Sequence, residues 1–530
     1  MRILLLVAFF AITQIAFARQ KPVLIPMPQS FVLRKSVFEM NNHTAIVVNN
    51  PKLNQLARYL KNELAVQKKI KLSVKTRIEG PAIVLKLVGE AKNSKDEAYQ
   101  LSVNSKEIAI TASSDKGIFY GIISLLQLSA SSNQPVIQGC NIKDAPVYSW
   151  RGFMLDESRH FFGKDKVKSI LNWMAFYKLN TFHWHLTDEP AWRIEILKYP
   201  ELTLTGGKGD YLNPNLPAQY YTQADIKEIV AYAAERFIQI IPEIDMPGHA
   251  TAANKAYPEF SGGGSAGHPD FTFNPGYEKT YTYLNDILKE TQILFPSNKI
   301  HLGGDEVSFG NEKWKINPEI QALKMKYGLK DEKEVEKYFM KRMADSVYKL
   351  KSQVLVWDEM VDAGLPADKT IMFWWRHDHP EVLKASLAKG YKTIICPRLP
   401  FYFDFVQDST HKFGRKWDKK FNPVQSVYQF NPAQLSDINQ NNILGVQANL
   451  WSETIADNKR LDYLLFPRLA ALAETAWTSN ENKNLDNFME RLKLHLPFYR
   501  AAGLYYYNPF NPTENPEPAG GKKLPLNYKD

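Results

Sequence analysis

The chain has 530 residues, 44% of them hydrophobic, and a formal net charge of +10. That length exceeds one ordinary domain but suits a large barrel with a small partner domain, and a mean hydropathy of −0.35 excludes a chain too polar to build a core. The basic residues are spread along the sequence with no dense run interleaved with aromatics, so the positive balance reads as a solvated surface rather than a nucleic-acid interface.

Arg2, the apolar run 3–10 and the small-x-small sequence Ala16-Phe17-Ala18 have the form of an export signal. The run is too short to span a bilayer, and no later stretch reaches span length. Residues 1–18 are expected to be removed, leaving a periplasmic or secreted protein that begins near Arg19 with net charge +9. Cys140 and Cys396 are expected as two separate buried thiols rather than a disulfide.

Residues 19–145 carry mixed signals. Alternation at 99–103 and 107–111 predicts paired strands, and apolar spacing at 53–66 and 116–128 predicts helices. A separate α+β domain follows, with no catalytic grouping among its residues and a connection at Lys143-Asp-Ala-Pro-Val147.

From Tyr148 the pattern becomes regular. Strands are predicted at 152–156, 181–185, 238–245, 299–306, 354–357, 371–375, 393–396 and 444–450, with helices such as 164–177, 223–236 and 332–350 between them. This alternation predicts a (β/α)8 TIM barrel over 146–507, closed by a last helix at 461–477. Nearly every strand ends in a polar or aromatic cluster, where such barrels place active sites. Two segments fall outside the pattern. Ser261-Gly-Gly-Gly-Ser-Ala-Gly267 is flexible by composition, as a mobile rim or a disordered loop, and the Pro/Asn-rich tail 508–530 is expected to fray.

One stretch organises the rest: Lys299-Ile-His-Leu-Gly-Gly-Asp-Glu-Val307. Paired glycines mark close approach by another group. In a regular strand Asp305 and Glu306 would face opposite ways, so both address one ligand only where the pleat gives way.

The run His301-Leu-Gly-Gly-Asp-Glu306 resembles the signature of glycoside hydrolase family 20, the exo-acting β-N-acetylhexosaminidases. It is joined in the family's order by Trp150-Arg-Gly-Phe-Met-Leu-Asp156, His183-Trp-His-Leu-Thr-Asp188, Pro242-Glu-Ile-Asp-Met-Pro-Gly-His249, Val356-Trp-Asp-Glu359 and Asn449-Leu-Trp-Ser-Glu453. The resemblance covers essentially everything after the signal and includes the small domain in front. It implies cleavage of terminal β-linked N-acetylglucosamine, with N-acetylgalactosamine as the second candidate, by substrate-assisted catalysis with retention and without cofactor or metal. Its partners would be glycans ending in N-acetylhexosamine.

By the same resemblance, Glu306 is the proton donor and later base, Asp305 accepts the acetamide N–H, and Tyr402 aims the acetamide carbonyl. Trp357, Trp375 and Trp451 would box the acetamide methyl, with Trp374 an alternative to Trp375. Arg151, Asp404 and Glu453 would bind the sugar's outer hydroxyls. Asp188, Asp245 and His249 would stand behind the acid, and His301 is expected as a core histidine.

Two other readings stay open. His183-x-His185, with His249, His301 and several aspartates, also suggests a metal-dependent amidohydrolase, because histidines two apart share a strand face. A non-catalytic sugar-binding protein on the same barrel would lack Asp305 and Glu306, and both are present.

Overall fold

Buried apolar segments of two periodicities build two layers of architecture. The computed structural model describes residues 23–89, 96–132, 134–416, 420–435 and 439–520, so the export signal lies outside the described residues. The N-terminal part is a seven-stranded mixed sheet in the spatial order Ser30–Glu39, Val136–Asp144, Tyr99–Val103, Glu107–Ala112, Ala82–Leu87, Ala45–Val48, Ser73–Lys75. Two helices, Asn54–Lys68 and Asp115–Ala130, accompany it. The second is buried on nearly every side, with Phe119, Tyr120, Ile122 and Ile123 at most 1% exposed. Its Gly117 is required by packing: a Cβ there would stand 2.5 Å from the Ala98 carbonyl oxygen.

Tyr120 meets Trp477 edge-on at 5.1 Å, and Phe119 lies 5.2 Å from Phe237, so this helix joins the small domain to the barrel. Charge is buried in the same seam. Lys178 Nζ donates to Tyr99 Oη at 2.8 Å and to Asp144 Oδ2 at 3.0 Å, while Trp477 Nε1 donates to Asp144 Oδ1 at 2.9 Å.

The second part is a closed parallel barrel of eight strands: Trp150–Asp156, Thr181–His185, Gln239–Glu243, Lys299–His301, Gln353–Trp357, Thr370–Trp374, Lys392–Ile395 and Ile443–Leu450. The eighth strand closes on the first from Gly445↔Trp150 to Leu450↔Leu155. The fold is a (β/α)8 TIM barrel preceded by an α+β domain. One connection departs from the regular pattern. Between the fifth and sixth strands stands only a 3-10 turn, Asp358–Asp362, where other connections carry α-helices. The closing helix expected at 461–477 is two helices, Asn458–Leu465 and Arg468–Trp477, and a further helix, Leu485–Ala501, follows.

Three expectations need correction or a sharper statement. The glycine-rich segment begins as a strand, Ser261–Gly263, that pairs antiparallel with Thr272–Phe273, and residues 264–267 continue it without regular structure. The tail is held as far as residue 520, because Glu517 accepts from the backbone N–H of Lys412 (2.6 Å) and Phe413 (3.0 Å) and pairs with buried Arg460 (2.8 Å). Cys140 and Cys396 are both buried and free. Among the described residues no helix is long and apolar enough to cross a membrane.

Candidate active site

At the C-terminal ends of the barrel strands lies a pocket of about 590 Å³, within the range that encloses small ligands. Its floor depends on how the fourth strand ends. That strand stops at His301, earlier than the expected 299–306, and the chain then passes through left-handed conformations at Gly303 (φ 66°), Gly304 (φ 88°) and Glu306 (φ 53°). The close approach implied by the paired glycines is real. A Cβ on Gly303 would overlap the Asp245 carboxylate, and one on Gly304 would come within 2.9 Å of Met340 Cε and Met360 Cγ. For Glu306, a residue with a side chain, the left-handed turn costs roughly 1–2 kcal/mol. It brings both Asp305 and Glu306 to one pocket.

Behind the pair runs a chain of alternating charge. His249 Nε2 stands 3.7 Å from Glu306 Oε2 and 3.8 Å from Asp305 Oδ2, and its Nδ1 lies 3.0 Å from Asp188 Oδ1. Burial alone would push this imidazole down, but the Asp188 charge and hydrogen bond, with Asp305 and Glu306, lift it to about 10. Asp188 is buried as well, a penalty outweighed by Arg159 and then His249, which hold it well below the usual carboxylate range. Its Oδ2 takes Arg159 Nη1 at 2.5 Å and His185 Nε2 at 2.9 Å.

His185 Nδ1 in turn faces Glu243 Oε2 at 2.5 Å. Three further side chains converge on Glu243 at the barrel centre: Trp357 Nε1 donates to it at 2.9 Å, while His183 Nε2 stands 3.0 Å and His301 Nδ1 2.8 Å from its carboxylate oxygens. Gln447 Nε2 donates to His183 Nδ1 at 3.0 Å, which places that ring's proton on Nε2, and burial lowers His183 to about 4, so it stays neutral. Asp245 is fully enclosed, and burial followed by the charges of Glu243 and Asp188 raises its carboxyl well above the usual range. Burial and then Asp245 push Asp305 the same way, against the pull of His249.

Aromatic rings line the opposite wall. Trp375 and Tyr402 stack at 6.2 Å with planes inclined by 13°, and Trp451 lies 6.1 Å from both Tyr402 and Trp357. Burial raises the Tyr402 phenol well above its usual range, so it remains a donor. Trp375 is anchored by Nε1 donation to Glu359 Oε2 at 3.0 Å. Trp374 lies outside the pocket and donates to the His379 carbonyl at 3.2 Å.

The model of the glycosyl hydrolase family 20 catalytic domain matches residues 148–480, and that of the family's domain 2 matches residues 21–145. The chain belongs to glycosyl hydrolase family 20. It is 34% identical to a β-hexosaminidase of Porphyromonas gingivalis over 96% of this chain and 66% of the relative. With one of Vibrio furnissii the identity is 36% over 71% of this chain and 64% of that protein, so the chain spans about two thirds of these relatives. Among solved structures, a family 20 exo β-N-acetylglucosaminidase of Vibrio harveyi in complex with N-acetylglucosamine superposes with a TM-score of 0.85. The identity is 31%, over 92% of this chain and 79% of that chain. A family 20 β-N-acetylhexosaminidase of Streptomyces coelicolor gives 0.80 at 29% identity, over 92% and 98%.

Within this family 20 barrel, Asp305, Glu306, Tyr402, Trp357, Trp375, Trp451, Glu453, Asp188 and His249 line one pocket, and Asp245 lies directly beneath it. Arg151 is a correction. It sits at the opposite end of the first strand, 0% exposed. There it donates to Glu97 (2.7 and 3.3 Å), Tyr120 Oη (2.8 Å) and the carbonyls of Lys178 (2.8 Å) and Tyr148 (2.9 Å). It ties the small domain to the barrel, and no donor is left for a sugar.

Two arginines line the pocket, and the one carried by the first strand is Arg159, past its C-terminal end and 5.2 Å over the Trp451 ring. Asp404 lies behind the residues that line the pocket. It is 1% exposed, and Arg415, which lines the pocket, stands before it with Nε 2.6 Å from Asp404 Oδ2 and Nη2 2.8 Å from Glu453 Oε1. Arg159 was detectable as the first arginine beyond a strand's C-terminal end. Glu243 falls within the family-bearing run 242–249 at the end of the third strand, whereas nothing local marked Arg415.

His183, Glu243 and His301 offer ligand atoms within 4.8 Å of one another, the geometry behind the amidohydrolase reading. Yet each imidazole, His185 included, turns a nitrogen to the one Glu243 carboxylate, and all four side chains are 0% exposed. His301 is thus a partnered core histidine. Cation chemistry at His185 is already supplied by its proton, which Glu243 and Asp188 hold well above the ordinary histidine range against the burial penalty.

Proposed function

We propose that the chain is an exo-acting β-N-acetylhexosaminidase that releases terminal β-linked N-acetylhexosamine from the non-reducing ends of glycans. The observation that carries this reading is the Asp305–Glu306 pair facing the box of Trp357, Trp375, Trp451 and Tyr402 in one pocket. An apolar box beside a carboxylate suits an acetamide: the methyl group packs on indole faces while the N–H needs an acceptor.

In the reaction the acetamide carbonyl oxygen bonds to the anomeric carbon as the bond to the leaving oxygen breaks, and Glu306 gives that oxygen its proton. Tyr402 Oη donates to the carbonyl oxygen and aims it. An internal nucleophile already carries its orientation, which is worth a large effective concentration. Asp305 accepts the acetamide N–H and offsets the positive charge growing on the oxazolinium ring. Asp245, deeper and beside two other carboxylates, is the member of the pair suited to retain a shared proton and leave Asp305 ionised. Water then attacks the anomeric carbon, Glu306 takes its proton, and the sugar leaves with its configuration retained. Arg159, Glu453 and Arg415 mark the end of the pocket that meets the outer hydroxyls.

Kinetics on p-nitrophenyl N-acetyl-β-glucosaminide, its galacto epimer and the 2-hydroxyl analogue test the proposal. Turnover of the N-acetyl sugars with a nearly inert 2-hydroxyl analogue is expected. Comparable cleavage of all three would refute the internal nucleophile. Export is proposed from the Arg2–Ala18 signal alone, and N-terminal sequencing of protein recovered outside the cytoplasm should begin near Arg19.

A further inference from the structure

At the pocket mouth stand side chains that the reaction at the anomeric carbon does not use. Phe309 ends the 3-10 turn Val307–Phe309 that begins directly after Glu306, and its N–H donates to the Glu306 carbonyl at 2.9 Å. It lines the pocket and remains 38% exposed. His268 lies beside it with ring centroids 6.0 Å apart and planes inclined by 29°. Its Nδ1 is 3.0 and 3.1 Å from the two carboxylate oxygens of Glu189, which reaches the mouth from the loop after the second barrel strand.

The glycine-rich hairpin sets this arrangement. Ser265 Oγ donates to the Phe309 carbonyl at 2.7 Å, and Ser265 N–H donates to the His268 carbonyl at 3.0 Å. Loops from the second, third and fourth strands are thereby tied together at the pocket, next to the turn that follows Glu306.

The oxygen that Glu306 protonates belongs to the next residue of the glycan, so that residue must lie against the turn carrying Phe309. A pyranose there presents an apolar C–H face and a rim of hydroxyls. An exposed phenyl ring suits the first, and a carboxylate–imidazole pair the second. We propose that Phe309, His268 and Glu189 form a binding site for the leaving-side sugar. The chain would then favour β-linked oligosaccharides over glycosides with small leaving groups. The proposal rests on the hexosaminidase reading given above.

The test compares N,N′-diacetylchitobiose with methyl N-acetyl-β-glucosaminide, which has no ring on the leaving side. In Phe309→Ala the ratio of kcat/KM for the disaccharide over the methyl glycoside should fall about tenfold, the size of a good aromatic contact, chiefly through KM. Phe309→Trp should hold or raise that ratio, and His268→Ala should lower it. An unchanged ratio in Phe309→Ala overturns the proposal. So does an equal loss on both substrates, which would make Phe309 a support for the Glu306 turn alone. A parent protein inactive on both glycosides would bring down the hexosaminidase reading and this site with it. A parent active on both with an unmoved ratio brings down only the site.

Discussion

His249 holds its Nε2 3.7 Å from Oε2 of Glu306 while its Nδ1 is bonded to Asp188. The imidazole therefore stands between the Asp188 carboxylate and the Glu306 carboxyl group. The sequence Glu243, His185, Asp188, His249 alternates in sign from the barrel core to the pocket, and each ion's burial is offset by its neighbours. Because Trp357 donates to the same Glu243, the aromatic wall and the charge chain share one anchor.

The first prediction concerns stability and pH. His249 keeps its proton in the folded chain up to about 10, whereas an unfolded histidine releases it near ~6.5. The folded state thus binds more protons across that interval. The stabilisation is complete below the lower value and is lost as pH rises through the upper one, at most ~1.4 kcal/mol per unit. Urea unfolding at pH 6, 8 and 10 should show stability falling. Asp188→Asn should flatten the decline, and an equally steep decline in that variant would count against the ion pair.

Glu306→Gln should lower kcat on chitobiose by about 10²–10⁴-fold, the usual range for a lost general acid. The loss should shrink with a 2,4-dinitrophenyl leaving group, which needs no proton. Asp305→Asn should cost about 10²–10³-fold with either leaving group, because the role proposed for it is at the acetamide charge rather than at the departing oxygen. A leaving-group-independent loss in Glu306→Gln would take the acid role from it.

Trp374 and Trp375 are adjacent in sequence but opposite in placement, one bonded to the His379 carbonyl and the other stacked on Tyr402. Trp375→Phe should therefore raise KM for N-acetyl-β-glucosaminides by up to about tenfold, the worth of an aromatic contact. Trp374→Phe should lower Tm and leave KM within about twofold, the loss falling on packing instead. A reversed pattern in steady-state kinetics would put the other indole in the pocket.

The barrel was legible in the sequence because each inner strand is a short buried run ending in polar or aromatic residues. The family-bearing motifs sit at those ends. The small domain was less so. Its edge strand Ser30–Glu39 is largely exposed and lacks the apolar alternation that marked 99–103 and 107–111. Arg151 and Arg159 show where local pattern misleads. Arg151 is the second residue of the strand Trp150–Asp156 and Arg159 lies three residues past it, but only the C-terminal end reaches the pocket, and Arg151 stands five residues before that end, at about 3.3 Å per residue. Strand direction, not residue type, separates their roles. Arg415 lay beyond reach for another reason: it reaches Asp404 and Glu453 from a loop with no periodicity to place it.

The two arginines give the last test. Arg151→Ala strands Glu97, which is 6% exposed in the domain seam, with Lys116 as its remaining cation. Breaking such a buried pair typically costs about 3–5 kcal/mol, so Tm should fall markedly while kcat/KM per folded molecule stays near the parent's. Arg159→Ala removes one of the pocket's two arginines and one partner of Asp188, so kcat/KM should fall by about 10²-fold or more, the penalty for truncating a buried, hydrogen-bonded charge pair. Its Tm should fall less than that of Arg151→Ala, because Asp188 keeps His185 and His249. Differential scanning calorimetry alongside kinetics on the same preparations separates the two. If Arg151→Ala instead loses activity at full stability, the arginine belongs to the sugar and not to the domain seam.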